Sequence, residues 1–123
     1  MLNKFSFISY PVSNLKKSIT FYKDLLGLKL LLKNDNWAEF NINGQRFAIH
    51  ENKNNKKLGA RSGATVYFEA KPIEAVVKDL KMKGIVFHKD IEAYPYGKLI
   101  LFFDPDNNSL GLYEPATKTI NNK

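Results

Sequence analysis

The feature that most constrains this chain is a weak internal repeat. The segment "FAIHE" at 47–51 matches "LGLYE" at 110–114, an offset of 63 residues, and "KDLLG" at 23–27 matches "KDLKMKG" at 78–84. An internal repeat of this kind indicates one supersecondary unit used twice, because neither copy buries its apolar face alone. Any fold for this chain must therefore accommodate two similar halves.

Hydrophobic periodicity predicts the same element order in each half. The first half predicts strand 4–12, helix 13–27 and strands 28–33, 36–42 and 45–51. Ser13 or Asn14 can cap the helix and Gly27 can end it. "NG" at 43–44 predicts a tight hairpin, because both residues accept positive φ.

The second half repeats this order. It predicts strand 62–70, helix 71–84 with Pro72 in its first turn and Gly84 at its end, and strands 85–88, 97–103 and 109–115. The "DPDNN" stretch at 104–108 predicts the last hairpin turn. The fold class is therefore α+β, with two β-α-β-β-β modules.

Length and composition predict one compact domain over residues 1–123. Its parts are module one at 1–52, a polar connector at 53–61, module two at 62–116 and a frayed tail at 117–123. With no cysteine, the chain has no disulfide, thiolate zinc site or cysteine nucleophile. No apolar run approaches the ~18 residues of a spanning helix, and we expect a cytoplasmic protein without membrane contact.

The net charge of +7 raises the question of nucleic acid as a partner. The lysines are dispersed along predicted solvent faces, which favours a solubilising surface instead. Steep salt dependence of binding to DNA or RNA would support the nucleic-acid alternative.

Three segments together resemble the vicinal oxygen chelate superfamily, which includes glyoxalase I, extradiol dioxygenases and the fosfomycin and bleomycin resistance proteins. They are "YPVSNLKKSITFYKDLLGL" (10–28), "GATVYFEAKPIEAVVKDL" (63–80) and "YGKLILFFDPDNNSLGLYE" (96–114). The resemblance implies a mixed sheet curled into a cup, with helices outside and ligand inside. It also implies that metal-dependent members draw their ligands from four inward strand positions.

Counting along the predicted strands locates those four positions at Phe7, Ala48, Thr65 and Gly111. None is a useful ligand for a divalent cation, which needs imidazole, carboxylate or similar donors. We therefore expect no metal and no other cofactor. Glu114, three residues beyond Gly111, falls on the opposite face of the predicted strand.

A relocated site would have to use other polar residues. His50 shares a face with Ala48, and Glu39 and Glu69 are expected to point inward as well. These three residues are the candidate catalytic groups, as metal ligands or as an acid–base pair. His88 is expected to lie in a loop.

Strand alternation assigns an aromatic-rich lining to the cup, suited to a small molecule. The strand residues expected to face the helices as core are Ile8, Tyr10, Val12, Val66, Phe68, Leu99, Leu101, Phe103, Leu110 and Leu112. The expected ligand-binding residues are Phe7, Trp37, Glu39, His50, Thr65, Tyr67, Phe102, Gly111 and Tyr113. The alternative is that these aromatic side chains fill the cup or form a dimer contact.

The resemblance and the empty ligand positions lead to one functional expectation and one rival. The expectation is a metal-independent protein, a homodimer, that binds a partly aromatic or cationic small molecule. The rival is a lyase, isomerase or dioxygenase of the same superfamily that uses relocated ligands or a metal-free acid–base pair.

Overall fold

The computed structural model of the chain describes residues 1–53 and 64–117. It divides into two compact units. Unit 1 takes Met1–Arg61 with Asp104–Asn108, and unit 2 takes Ser62–Phe103 with Ser109–Lys123. Most of the expected connector and tail lies outside the described residues.

Unit 1 holds a four-stranded sheet and one helical segment. Its elements are β1 (Ile8–Val12), α1 (Leu15–Ile19), a π-helical continuation (Thr20–Leu25), β2 (Lys29–Lys33), β3 (Trp37–Ile42) and β4 (Gln45–Glu51). The strand order is β1-β4-β3-β2. Strand β1 runs parallel to β4, and the other pairs are antiparallel.

Unit 2 repeats this arrangement. Its elements are β5 (Val66–Glu69), α2 (Ile73–Met82), β6 (Glu92–Tyr94), β7 (Gly97–Phe103) and β8 (Ser109–Pro115). The order β5-β8-β7-β6 matches that of unit 1, with the same parallel pair of first and last strands. The predicted α+β class with two β-α-β-β-β modules is therefore confirmed.

Local signals in unit 1 explain where its elements begin and end. The Asn14 side chain accepts a hydrogen bond from the Lys17 amide, as an N-cap does. Asn43 and Gly44 both have positive φ, 54° and 88°, as the tight hairpin requires. Gly27, at φ 76°, follows the end of the helical segment.

Glu51 and Glu114, which match in the internal repeat, make equivalent hydrogen bonds in the two units. In unit 1, the Glu51 carboxylate on β4 accepts a hydrogen bond from the Leu15 amide at 3.0 Å. In unit 2, Glu114 on β8 accepts one from the Ile73 amide at 2.8 Å. Each carboxylate satisfies an amide at a helix start that has no partner within the helix. The sequence correctly put Glu114 on the face opposite Gly111.

The predicted strand at 85–88 is wrong. Ile85 is buried, and its amide donates to the Leu80 carbonyl, so this segment closes α2 rather than joining the sheet. The third strand of unit 2 is β6, which pairs with β7 through a turn at 95–96. Pro95 and Gly97 are turn-forming residues, and they mark this hairpin in the sequence.

The prediction of which β7 residues face the core is also wrong. The core-facing and outward-facing residues are exchanged, which corresponds to a shift of one residue. Phe102 lies opposite Leu110 and is fully buried, with Ile100 opposite Leu112 on the same core face. Leu101 lies opposite Gly111 instead and is 41% exposed. A continuous apolar run carries no alternation, so the sequence could not fix which face each residue takes.

A buried carboxylate, Asp104, organises polar groups in unit 1. Its side chain accepts hydrogen bonds from the Tyr22 hydroxyl at 2.5 Å, from the amides of Asp106 and Asn108, and from the Asn108 side chain. Asn108 also donates to the Pro11 carbonyl at 2.8 Å. This network joins the helical segment, the end of β1 and the 104–108 turn.

No helix in the described ranges is long and apolar enough to cross a membrane.

Replacing Tyr22 with Phe is expected to destabilise the protein by about 1–3 kcal/mol, because the buried Asp104 loses a hydrogen-bond donor. Tyr113→Phe is the matched control, since its hydroxyl bonds the Tyr96 carbonyl at an exposed position. The control should cost less than about 0.5 kcal/mol. Urea unfolding of both variants measures the difference, and equal losses would contradict a special role for the network.

The same variant has an expected pH dependence. Burial raises the pKa of Asp104 above its ordinary 3.8, and the bond from Tyr22 opposes that rise. The stability that this carboxyl contributes is therefore present below its unfolded pKa and lost as pH rises through its folded pKa. Tyr22→Phe raises the folded pKa further, so its penalty should be larger at pH 7 than at pH 4.

Candidate functional site

The face of the unit 1 sheet that points away from α1 gathers the polar and aromatic residues expected there. Trp37 pairs with His50 across β3 and β4, and Glu39 pairs with Ala48. Ser9 on β1 pairs with Ala48 from the other side. Because β1, β3 and β4 are adjacent, alternation places all five side chains on one face.

Glu39 is a buried carboxylate with its partners built in. It is 3% exposed and accepts hydrogen bonds from Nε and Nη2 of Arg46. The Trp37 indole Nε1 donates to it as well, at 3.3 Å. The Arg46 guanidinium holds the pKa of Glu39 below its ordinary value. Glu39 is thus a paired anion and not a proton carrier near neutral pH.

Arg46 also covers the Phe7 ring, with its guanidinium carbon 5.1 Å from the ring centroid. Phe7 meets the Trp37 ring edge to face, with centroids 5.7 Å apart and planes at 84°. Such cation–aromatic and edge-to-face contacts hold flat groups in defined orientations. Phe7, Trp37, Glu39, Arg46 and His50 are called here the unit 1 cluster.

His50 completes the unit 1 cluster at the other side of the indole. Its Nδ1 lies 2.6 Å from the Ser9 hydroxyl, and its ring stacks on Trp37 with centroids 6.4 Å apart. Because Nδ1 bonds Ser9, Nε2 is the ring nitrogen left for a further hydrogen bond. His50 therefore holds a fixed orientation.

In unit 2, the expected metal position on β8 is Gly111, and the Tyr67 ring packs against it. A Cβ atom at Gly111 would lie 2.5 Å from two carbons of the Tyr67 ring and 3.2 Å from the Ile100 carbonyl oxygen. The Tyr67 ring thus lies directly over this glycine, and Tyr67 is 45% exposed. Thr65 bonds the Ser109 hydroxyl at 2.8 Å.

Other tyrosines of unit 2 flank this surface. The Tyr113 hydroxyl donates to the Tyr96 carbonyl at 2.8 Å. Tyr94 stacks on Tyr96 with ring planes at 4°, and its hydroxyl donates to Glu92. Glu69 is exposed at the end of β5. The sequence missed Tyr94 and Tyr96 because β6 was not predicted.

Phe102, expected in the ligand site, is not on this surface. It is fully buried and its ring centroid lies 5.4 Å from that of Phe87, on the core face of unit 2. Leu101 takes the surface position next to Gly111 instead. The change follows from the one-residue shift of β7 described above.

The residues at the expected ligand positions do not fit a divalent metal ion. Phe7, Ala48 and Gly111 offer no donor atom, and Thr65 offers one hydroxyl that is bonded to Ser109. Within residues 1–53 and 64–117, no three His, Asp or Glu side chains are grouped so that they could hold an ion. The relocated set is also unsuited, because Glu39 is already paired with Arg46.

Sequence reasoning found most of the unit 1 cluster but missed Arg46 and the role of Ser9. The signal for Arg46 was available, because it stands two residues before Ala48 and so shares its face. Its pairing with Glu39 depends on the register of β3 and β4 and on the bend of a long side chain.

The comparisons with known proteins agree with this architecture. The family model for the Glyoxalase/Bleomycin resistance protein/Dioxygenase superfamily matches residues 4–112. The chain therefore belongs to this superfamily, as its sequence resemblance predicted.

Curated relatives match only part of the chain. Metallothiol transferase FosB from Staphylococcus haemolyticus is 43% identical over 54 residues, which is 44% of this chain and 39% of that protein. The FosB of Staphylococcus epidermidis matches with the same identity and the same coverage. The match thus spans about two-fifths of the length of these relatives.

Solved structures match over nearly the whole length. The fosfomycin resistance protein FosX from Listeria monocytogenes aligns with a TM-score of 0.78 at 21% identity, over 94% of this chain and 96% of that chain. TnmS3, an antibiotic binding protein from Streptomyces sp. CB03234, aligns with a TM-score of 0.75 at 21% identity, over 94% and 98%. At this identity the likeness establishes the fold alone.

Gly111→Ala is expected to destabilise the protein by about 1–3 kcal/mol, because the added methyl group overlaps the Tyr67 ring. In a Tyr67→Ala background the same change should cost clearly less, since the ring is gone. A double-mutant cycle from urea unfolding measures the coupling. Additive effects would contradict the packing of Tyr67 on Gly111.

Proposed function

We propose that this protein binds a small, partly aromatic molecule and that binding requires no metal ion. The observation that carries the proposal is the unit 1 cluster, in which Phe7, at one of the four positions where the resemblance implies a metal ligand, packs beside the Trp37 ring and the Glu39–Arg46 ion pair. Binding, unlike catalysis at a metal centre, needs only shape, flat apolar surface and a few oriented polar groups.

Each unit by itself has exposed rings that supply flat apolar surface of the kind the proposal needs. Phe7 is 42% exposed and Tyr67, in unit 2, is 45% exposed. Trp37 and His50 are partly exposed and stacked on each other. Large aromatic groups left in contact with water on a sheet face favour capture of an organic ring. The structural neighbour TnmS3, described as an antibiotic binding protein, supports a binding function for this fold.

Two further parts of the proposal concern assembly and location. We propose a homodimer, as superfamily members commonly form, and the exposed Leu31 and Leu32 on β2 offer apolar surface for a second copy. Light scattering behind gel filtration tests it, with twice the 14.1 kDa chain mass expected. A cytoplasmic location is consistent with the absence of cysteine.

A second candidate function is an enzyme of the same superfamily. The partial match to the FosB transferases, 43% identity over 54 residues, favours it. Of the candidate groups in unit 1, His50 is better placed for proton transfer than Glu39, since Glu39 is paired with Arg46. Glu69 belongs to unit 2 and is exposed. Turnover that His50→Ala abolishes, with folding and binding retained, would favour the enzyme.

For the binding function, planar aromatic compounds should change the fluorescence of Trp37, the only tryptophan of the chain. Trp37→Ala should weaken their binding about tenfold by calorimetry, because an aromatic contact and its buried area are lost. Phe5→Ala is the matched control, since Phe5 is 91% exposed. If no compound of a planar aromatic set binds, or if both variants weaken binding equally, the proposal fails.

A further inference from the structure

We infer that the unit 1 cluster selects aromatic ligands that carry an anionic group and that Arg46 is the residue which binds that group. The inference rests on the proposed binding function and names its ligand class. It replaces the cationic ligand, one of the two kinds expected from the sequence, with an anionic one.

The first step is that Glu39 is poorly placed to bind a ligand cation, because it is buried and already paired with Arg46. Its side chain is 4% exposed, and both carboxylate oxygens accept hydrogen bonds, from Arg46 and from Trp37. A ligand cation would have to displace the Arg46 guanidinium and enter a buried position. That exchange trades one charge-assisted pair for another and adds the cost of dehydrating the ligand.

The second step is that Arg46 keeps N–H donors that bond no group in the part of the chain that the structure describes. The guanidinium carries five N–H donors, and its bonds to Glu39 use only Nε and Nη2. Among the residues that the structure describes, nothing accepts from Nη1. The Arg46 side chain is 47% exposed, so these donors are within reach of a ligand.

The third step is that the guanidinium is held in place before any ligand arrives. Two bonds to Glu39 fix its plane, and the Phe7 ring supports it at 5.1 Å. A fixed, planar donor group pairs well with a carboxylate or a similar anion, because little side-chain freedom is lost on binding. Glu39 is therefore a positioning residue for Arg46.

The fourth step is that flat apolar surface adjoins these donors. Phe7 contacts both the Arg46 guanidinium and the Trp37 ring. A ligand with an anionic group at Arg46 and an aromatic ring within a few ångströms of that group can therefore contact Phe7 and Trp37. A simple inorganic anion could bond the Arg46 donors but would make no ring contact with Phe7 and Trp37.

The test compares three probes with the same ring and chain length and different charge: 3-phenylpropionate, 3-phenylpropanol and 3-phenylpropylammonium. The single indole N–H signal of Trp37 in a proton–nitrogen NMR spectrum reports binding at the unit 1 cluster. We expect the carboxylate to bind at least about tenfold more tightly than the ammonium, with the alcohol between them.

Variants separate Arg46 from the general basic charge of the protein. Arg46→Gln combined with Glu39→Gln avoids leaving an unpaired buried carboxylate and should abolish the preference for the carboxylate probe. Lys33→Gln is the control for general charge, since it removes one positive charge from an exposed position on β2, whereas the double variant leaves the net charge unchanged. It should keep the preference, because Lys33 has no part in the unit 1 cluster.

Three results would overturn the inference. Equal binding of all three probes would remove the anion selectivity while leaving the metal-free binding function intact. Retained selectivity in the folded Arg46→Gln, Glu39→Gln protein would assign it to another group. Failure of every probe to move the Trp37 signal would sink both this inference and the proposed function.

Discussion

The arrangement of unit 1 depends on the buried carboxylate of Asp104. Four donors converge on it, and they come from the helical segment through Tyr22 and from the 104–108 turn itself. Burying a carboxylate costs free energy unless hydrogen bonds satisfy it. Loss of any one donor therefore leaves part of that cost uncompensated. The turn thereby belongs to unit 1, although β7 and β8 on either side of it belong to unit 2.

The two modules begin their helices with the same kind of hydrogen bond. Each module must satisfy the first amides of its helix, and each does so with a glutamate from its last strand, Glu51 or Glu114. By alternation, the strand residue two positions before each glutamate shares its core face. The residue three positions before it points to the opposite face, away from the helix. This is why Ala48 and Gly111, three residues before those glutamates, both lie on the other face.

The fold was largely predictable from the sequence because its signals are local. Asn14, the Asn43–Gly44 pair and Gly84 mark their boundaries through side-chain capping or positive φ, and these are properties of single residues. The misplaced strand at 85–88 and the reversed face of Phe102 came from apolar runs. Such runs take their direction from tertiary packing, which a single sequence does not reveal.

The candidate site was predictable to a smaller degree. Alternation placed Trp37, Glu39 and His50 on one face correctly, because β3 and β4 are regular strands with a defined hairpin. It could not show that Arg46 would neutralise Glu39, nor that the Tyr67 ring would cover Gly111. Both depend on where a long or flat side chain on one strand lies over a neighbouring strand, which alternation alone does not specify.

The proposed function requires that this member of the superfamily bind its ligand without a metal ion. Metal analysis of untagged protein tests it most directly, first as purified and then after incubation with manganese, nickel, iron or zinc and desalting. We expect substoichiometric metal in every sample, and we expect ring ligands to bind equally well after chelator treatment. About one ion per chain, retained through desalting and required for ligand binding, would contradict it.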